Sequence, residues 1–241
     1  MPEPVVRFAG VSKSYGRAAV LRGVGLDIRS GEFLAVAGIN GTGKTTLLKC
    51  LLDLCDLDAG EIRVHGFGHR RPEARSRLAF LPERFTPPYF LTGREFVRMM
   101  LRFVSRSFDE GRVRAMFDAL DLERSALDKP VRTYSQGMTQ KLGLAACFLA
   151  ERELYILDEP MSGLDPKARA CVKDLLLALK EKGRTLLFTS HMLADIEEIC
   201  DHMAILHQGT FTYVGAPQRL RERYAETSLE RAFLQCIEAH A

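Results

Sequence analysis

The chain has 241 residues, 46% of them hydrophobic, and a formal net charge of only +3. That length makes one globular domain with a substantial core, and so weak a charge excludes the dense basic footprint of a nucleic-acid binder. Residues 1–4 show no basic region followed by an apolar run, and no stretch reaches the roughly 18–20 apolar residues of a membrane span, so neither a signal peptide nor a transmembrane helix is expected.

Residues 5–8 alternate weakly, and Gly31-Glu32 leads into a short apolar run at 33–37, the pattern of a buried strand. A glycine-rich stretch follows at once, and residues 46–54 then have helical spacing. Residues 62–65 and 78–81 are further strand candidates. Short basic blocks, His69-Arg70-Arg71 and residues 219–223, read as solvated surface. Pro87-Pro88 marks a change of character. Beyond it Phe96, Met99, Met100 and Phe103, then Val113, Met116, Phe117 and Leu120, recur at helical spacing, a stripe read as core. Pro130 ends this insert. Residues 137–149 read as a helix, and Leu154-Tyr155-Ile156-Leu157 as a strand ending in Asp158-Glu159-Pro160. An amphipathic helix over 167–182 is closed by Gly183; a strand at 185–188, a helix at 193–200, a strand at 203–206 and a short helical tail from Ala216 complete the chain. Alternating strands and helices imply an α/β fold, a mostly parallel sheet with helices on both faces. Six cysteines, Cys50, Cys55, Cys147, Cys171, Cys200 and Cys236, form no Cys-x-x-Cys pair and no zinc spacing, and read as free packed thiols.

Gly38-Ile39-Asn40-Gly41-Thr42-Gly43-Lys44-Thr45 matches Gly-x-x-x-x-Gly-Lys-Ser/Thr at every fixed position, with Thr46 next. Phosphate oxygens need several backbone N–H donors converging on one point, and only a tight loop poor in side chains wraps that closely. The helix that follows adds its N-terminal dipole. Lys44 supplies a point charge to β- and γ-phosphates, and the Thr45 hydroxyl suits Mg²⁺. The acids at the end of the 154–157 strand divide the remaining chemistry, because successive strand side chains point to opposite sides. Asp158 is placed to hold Mg²⁺ and Glu159 to polarise the attacking water as general base.

Five further segments, in order, carry a family resemblance: Tyr15 within Ser14-Tyr15-Gly16, Leu81-Pro82-Glu83, Tyr134-Ser135-Gln136-Gly137-Met138, Ser162-Gly163-Leu164-Asp165 and Ser190-His191. From about Val5 to Gly215 the chain resembles the ATP-binding subunits of ABC transporters, and its Ser-x-Gly-Met turn resembles the ABC-2-type exporter subgroup. The resemblance implies a P-loop NTPase core with an N-terminal antiparallel β subdomain (core residues 1–86 and 131–215), an inserted α-helical subdomain at 87–130 and a helical tail at 216–241. It implies ATP and Mg²⁺ as ligands, Tyr15 stacked on adenine, His191 as the switch histidine, Glu83 at the Q-loop position beside the metal, and residues 162–165 as the D-loop. Ser135, Gln136, Gly137 and Met138 would contact the γ-phosphate held by a second subunit, so that ATP clamps a pair, expected to be a homodimer, and hydrolysis releases it. A separate transmembrane permease would dock on the helical subdomain and Q-loop region, holding the chain at the inner, cytoplasmic face of the membrane. Pro87, Pro88, Tyr89 and Phe90 either make that contact or pack internally. The sequence departs from the family at Glu83, where glutamine is usual, and at Gln136 and Met138. No nucleic-acid partner is expected. The competing readings are a soluble ABC ATPase acting as a regulatory or nucleic-acid-associated switch, and a module that binds ATP without hydrolysing it; one short helical insert in a single cassette, and intact Lys44, Asp158, Glu159 and His191, weigh against them.

Overall fold

In the computed structural model, which describes residues 3–240, the chain runs β1 (Val6–Tyr15), β2 (Ala18–Ile28), β3 (Phe33–Ala37), α1 (Lys44–Leu51), β4 (Ala59–Val64), β5 (Phe67–Gly68), α2 (Pro72–Arg75), β6 (Leu78–Leu81), α3 (Gly93–Phe103) and α4 (Glu110–Ala119). It continues through α5 (Gln136–Leu149), β7 (Leu154–Asp158), α6 (Pro166–Glu181), β8 (Thr185–Ser190), α7 (Leu193–Ile199), β9 (His202–His207), β10 (Thr210–Gly215), α8 (Pro217–Tyr224) and α9 (Leu229–Glu238). Met1 and Pro2, part of the segment read for a signal peptide, and Ala241 of the tail lie outside the described residues.

Two sheets share the core. One has the order β2-β1-β4-β5 and is antiparallel. The other has the order β10-β9-β3-β8-β7-β6; its five inner and far strands are parallel, and only β10 runs against its neighbour. Burial on both faces explains the unbroken apolar runs of β3, β7 and β8. Phe33, Ala35, Tyr155, Leu157, Leu186 and Phe188 face the helical layer, whereas Leu34, Val36, Leu154, Ile156 and Leu187 face α1 and the antiparallel sheet.

Several expectations are corrected. The helix after the glycine loop begins at Lys44 and stops at Leu51, short of 54, because Asp53 takes a left-handed conformation (φ 59) and Leu54 N–H closes onto Lys49 O at 2.9 Å. The insert breaks into α3 and α4 where Ser105 turns left-handed (φ 56). Phe103, at the end of α3, is therefore 75% exposed instead of core, while Phe96 and Phe117 are buried as expected. His69 is buried, its Nδ1 within 3.3 Å of Ile62 O, and is not part of a solvated basic block. Strands β2 and β10, each half-exposed, have no counterpart in the periodicity.

Candidate active site

The carboxyl edge of the six-stranded sheet presents, side by side, the loops after β3, β8, β7 and β6, the edge where ligands settle in open α/β sheets. Residues 38–43 form the first loop. A Cβ on Gly38 would stand 2.7 Å from Leu206 O and from Thr42 Oγ1, and one on Gly43 (φ +105) would stand 2.9 Å from Val20 Cγ1. Only glycine fits either place. The loop closes so tightly that Lys44, 7% exposed, donates to Gly38 O at 2.7 Å and to Ile39 O at 3.3 Å. Burial lowers the Lys44 pKa from its ordinary value, against the opposing pull of the Glu159, Asp158 and Glu83 carboxylates. No acid occupies the first turn of α1, so its amides and dipole remain available to an anion. Gly43→Ala is expected to lower stability by about 1–3 kcal/mol through backbone strain and to cut nucleotide affinity at least tenfold. Urea unfolding and equilibrium titration with a fluorescent ATP analogue check both halves.

Asp158 ends β7, and Glu159 follows with φ 47, already outside the strand. Strand alternation is thus not what separates the two acids; a left-handed residue is. The Glu159 amide donates to Thr189 Oγ1 at 2.9 Å, and the Thr189 hydroxyl donates to Asp158 Oδ1 at 2.5 Å. Thr189, fully buried on β8, therefore holds both acids; in the sequence it falls just past the strand read at 185–188 and belongs to no motif, whereas β8 runs on to Ser190. The only signal for it is the register that pairs Asp158 with Thr189. Glu159 Oε2 accepts from His191 Nδ1 at 2.9 Å, and Oε1 lies 3.9 Å from Lys44 Nζ. Because a carboxylate only accepts, His191 carries its hydrogen on Nδ1. Gln140, also unforeseen, donates from Nε2 to Pro160 O at 3.0 Å and ties α5 to the turn after the acids.

A cleft of about 550 Å³ gathers Tyr15, Asn40, Gly41, Gly43, Lys44, Thr45, Thr46, Glu83, Glu159, Ser162 and His191, with Val20 as an unforeseen wall. Gly38, Ile39 and Thr42 shape the loop without lining the cleft, and Asp158 is buried behind it. A larger cleft of about 970 Å³, beside β10 and α8, contains none of these residues. Among the described residues no cluster of three or more His, Cys, Asp or Glu is arranged to hold a metal alone. The oxygen-only set of Thr45, Glu83 and Asp158 nevertheless fits Mg²⁺, which takes one or two carboxylates and completes its shell with phosphate oxygens and water.

Ser135, Gln136, Gly137 and Met138 are not brought to that cleft. Ser135 and Gln136 are exposed. The Ser135 hydroxyl accepts from Met138 N at 3.2 Å and caps α5, whose first turn carries no acid. Residues 162–165 run between the two features. Ser162 N–H bonds Glu159 O at 3.0 Å, Gly163 is left-handed (φ 73) and adjoins the Gln136 amide, and of these four residues only Leu164 is buried while Ser162, Gly163 and Asp165 are exposed. Asp165 caps α6 through Ala168 N at 2.9 Å.

A sequence profile of the family described as ABC transporter matches residues 21–162, more than half of the chain. The chain belongs to the ABC transporter family. An uncharacterized ABC transporter ATP-binding protein of Synechocystis sp. is 38% identical over 199 residues, 81% of this chain and 56% of its own length. Nod factor export ATP-binding protein I of Paraburkholderia xenovorans is 34% identical over 224 residues, 91% of this chain and 73% of that one. This chain thus spans little more than half of the Synechocystis relative, and 61% of a Nostoc sp. relative. The solved ATP-binding subunit of an ABC transporter superposes with a TM-score of 0.89 at 30% identity, over 96% of this chain and 99% of its own. A dimeric bacterial ABC transporter cassette, 23% identical, shares the fold with a TM-score of 0.80 over 88% of this chain and 98% of its own. The α/β ABC ATPase fold expected from the sequence is the fold observed.

Proposed function

We propose that this chain binds and hydrolyses ATP as one half of a nucleotide-sandwiched pair, and thereby energises transport, outward, through a separate membrane-spanning permease. One observation carries the reading. A single cleft collects the phosphate loop, Lys44, Thr45, Glu159 and His191, while an anion-seeking helix end, α5 with Ser135 and Gln136 exposed and no acid in its first turn, stands outside it. Taken alone, the site has charge to attract a nucleotide on one surface and a second, unused surface of the same character. The dimeric cassette that shares this fold supports pairing.

In this reading the loop amides and Lys44 hold the β- and γ-phosphates, and Tyr15, half-exposed at the cleft, stacks on adenine. Thr45, Glu83 and Asp158 would hold Mg²⁺, which when bound neutralises charge developing on the phosphates. Glu159 takes the proton of the attacking water, and His191 and Thr189 fix the carboxylate that does so. Gln136, Gly137, Met138 and the Ser135 hydroxyl serve the partner's nucleotide, and residues 162–165 link that surface to Glu159.

Relatives named for Nod factor export and for linearmycin resistance support an outward direction. No helix among the described residues is long and apolar enough to cross a membrane, so the proposed attachment at the inner membrane face runs through the permease. Of the four residues considered for that contact, Pro87 is buried, whereas Tyr89 and Phe90 are 69% and 68% exposed and stack edge-on at 5.6 Å. These two rings are the docking surface we assign to residues 87–130. Purified chain is expected to hydrolyse ATP, and faster in proteoliposomes with its permease; no turnover in either preparation overturns the reading.

Glu83 joins the cleft where the family usually has glutamine. A carboxylate offers Mg²⁺ a charged oxygen but no N–H donor. Glu83→Gln is expected to raise the half-saturating Mg²⁺ concentration several-fold and to change the permease-stimulated rate. Steady-state ATPase measured across a Mg²⁺ titration tests this; identical curves for both proteins contradict it.

A further inference from the structure

Two cysteines that the site chemistry leaves unused meet directly behind the proposed adenine platform. Cys50 lies in the last turn of α1. The left-handed Asp53 and the Leu54 N–H to Lys49 O bond of 2.9 Å fold the chain back over that turn, and this seats Cys55 Sγ 3.5 Å from Cys50 Sγ. A disulfide needs about 2.05 Å between the sulfurs, so closing the pair takes a small movement of one side chain. Cys50 is buried and Cys55 is half-buried, within reach of solvent. On its other side Cys55 neighbours the Tyr15 hydroxyl, which also meets Thr46. The Tyr15 ring, with Lys13 Nζ 5.4 Å from its centroid, lines the cleft.

We propose that Cys50 and Cys55 form a two-thiol modification site that a hydroperoxide converts to an intramolecular disulfide, loosening the adjoining cleft's hold on its nucleotide. The second half rests on the nucleotide reading above. Burial, with the neighbouring Cys55 adding to it, pushes the Cys50 thiol up to about 12, so Cys50 keeps its proton and waits. Cys55, half-buried beside the buried Cys50, is the more accessible thiol of the two and the one a peroxide reaches first. The Cys55 thiol gives up its proton and the thiolate attacks one oxygen of hydrogen peroxide; the S–O bond forms, the O–O bond breaks, and the departing hydroxide takes up that proton and leaves as water. Cys50 sulfur then attacks Cys55 sulfur; the S–S bond forms, the S–O bond breaks, and the leaving hydroxide takes the Cys50 proton as a second water. Two thiols lose two electrons and one peroxide gains them. Drawing Cys55 toward Cys50 pulls it from Tyr15 and shifts the platform.

The test treats the full chain with hydrogen peroxide, counts alkylatable thiols, maps the linked peptides by mass spectrometry, and measures the Kd of a fluorescent ATP analogue before and after. Wild type is expected to lose two thiols into a Cys50–Cys55 link reversible by dithiothreitol, with Kd several-fold weaker while oxidised. Cys55→Ser is expected to form no link and to keep its Kd through the treatment. Both thiols still alkylated after peroxide, or a Kd unchanged once the link has formed, overturns the proposal. A reduced chain that binds no nucleotide overturns instead the reading on which the second half rests.

Discussion

Glu159→Gln is expected to slow ATP turnover by roughly 10²–10⁴-fold, the contribution of a positioned general base, without loosening the nucleotide. The geometry separates the two effects. Glutamine keeps the length of the side chain and an oxygen to accept the 2.9 Å bond from His191 Nδ1, and the backbone bond from residue 159 to Thr189 is untouched. What disappears is the basic oxygen proposed to take the water's proton. Lys44, 3.9 Å away, also loses an anionic competitor for its charge, so the ammonium is freer for phosphate. Hydrolysis stops while the bound state strengthens, and a pair held by ATP should accumulate as a dimer on size-exclusion chromatography. Wild-type turnover in this variant contradicts the assigned base.

Gly137→Asp is expected to abolish ATP hydrolysis, by about 10²–10³-fold or more, the size of the loss when transition-state charge stabilisation is removed, and to leave ATP binding to the single chain near wild type. A Cβ at this position meets only ordinary contacts, 3.7 Å from Gly163 O and 3.9 Å from Leu164 Cδ2, so the fold accepts a side chain. An acid in the first turn of α5 even favours the helix, and thermal unfolding should show no loss of stability. Its charge cancels the one property the exposed helix end has, attraction for an anion. The residue does not line the chain's own cleft, so an effect on hydrolysis means that this surface acts on a nucleotide held elsewhere. Rates unaffected by the new charge would remove the surface from the mechanism.

How much of this was readable beforehand depends on burial and on covalent spacing. Strands β3, β7 and β8 are covered on both faces and appear as unbroken apolar runs, and the phosphate loop is a contiguous string whose spacing survives any context. Strands β2 and β10 escaped notice because each is half-exposed and its alternation is interrupted. Register shifts break the β1–β2 pairing at Phe8/Val11 and Val11/Lys13, and the β9–β10 pairing at Phe211/Tyr213. Phe103 misled for the opposite reason: its helical spacing is faithful, but the helix ends there and the residue faces solvent. The lock on the two acids was invisible for want of any local pattern. Thr189 and His191 stand about 30 residues from Asp158 and Glu159 and reach them only because β7 and β8 lie parallel in that register. The left-handed turn at Glu159 likewise follows from its amide bonding Thr189, a partner on another strand.

Mixing two inactive proteins tests the central claim most directly. Lys44→Ala removes the cation proposed for the phosphates and Gly137→Asp the helix end proposed for the partner's nucleotide, and each alone is expected to be without turnover. In a mixed pair, one site combines the intact Lys44 loop of the Gly137→Asp chain with the intact Gly137 surface of the Lys44→Ala chain. The ATPase rate of the equimolar mixture is expected to rise well above the sum of the two separate rates. A mixture as inactive as its components contradicts a site built from two chains.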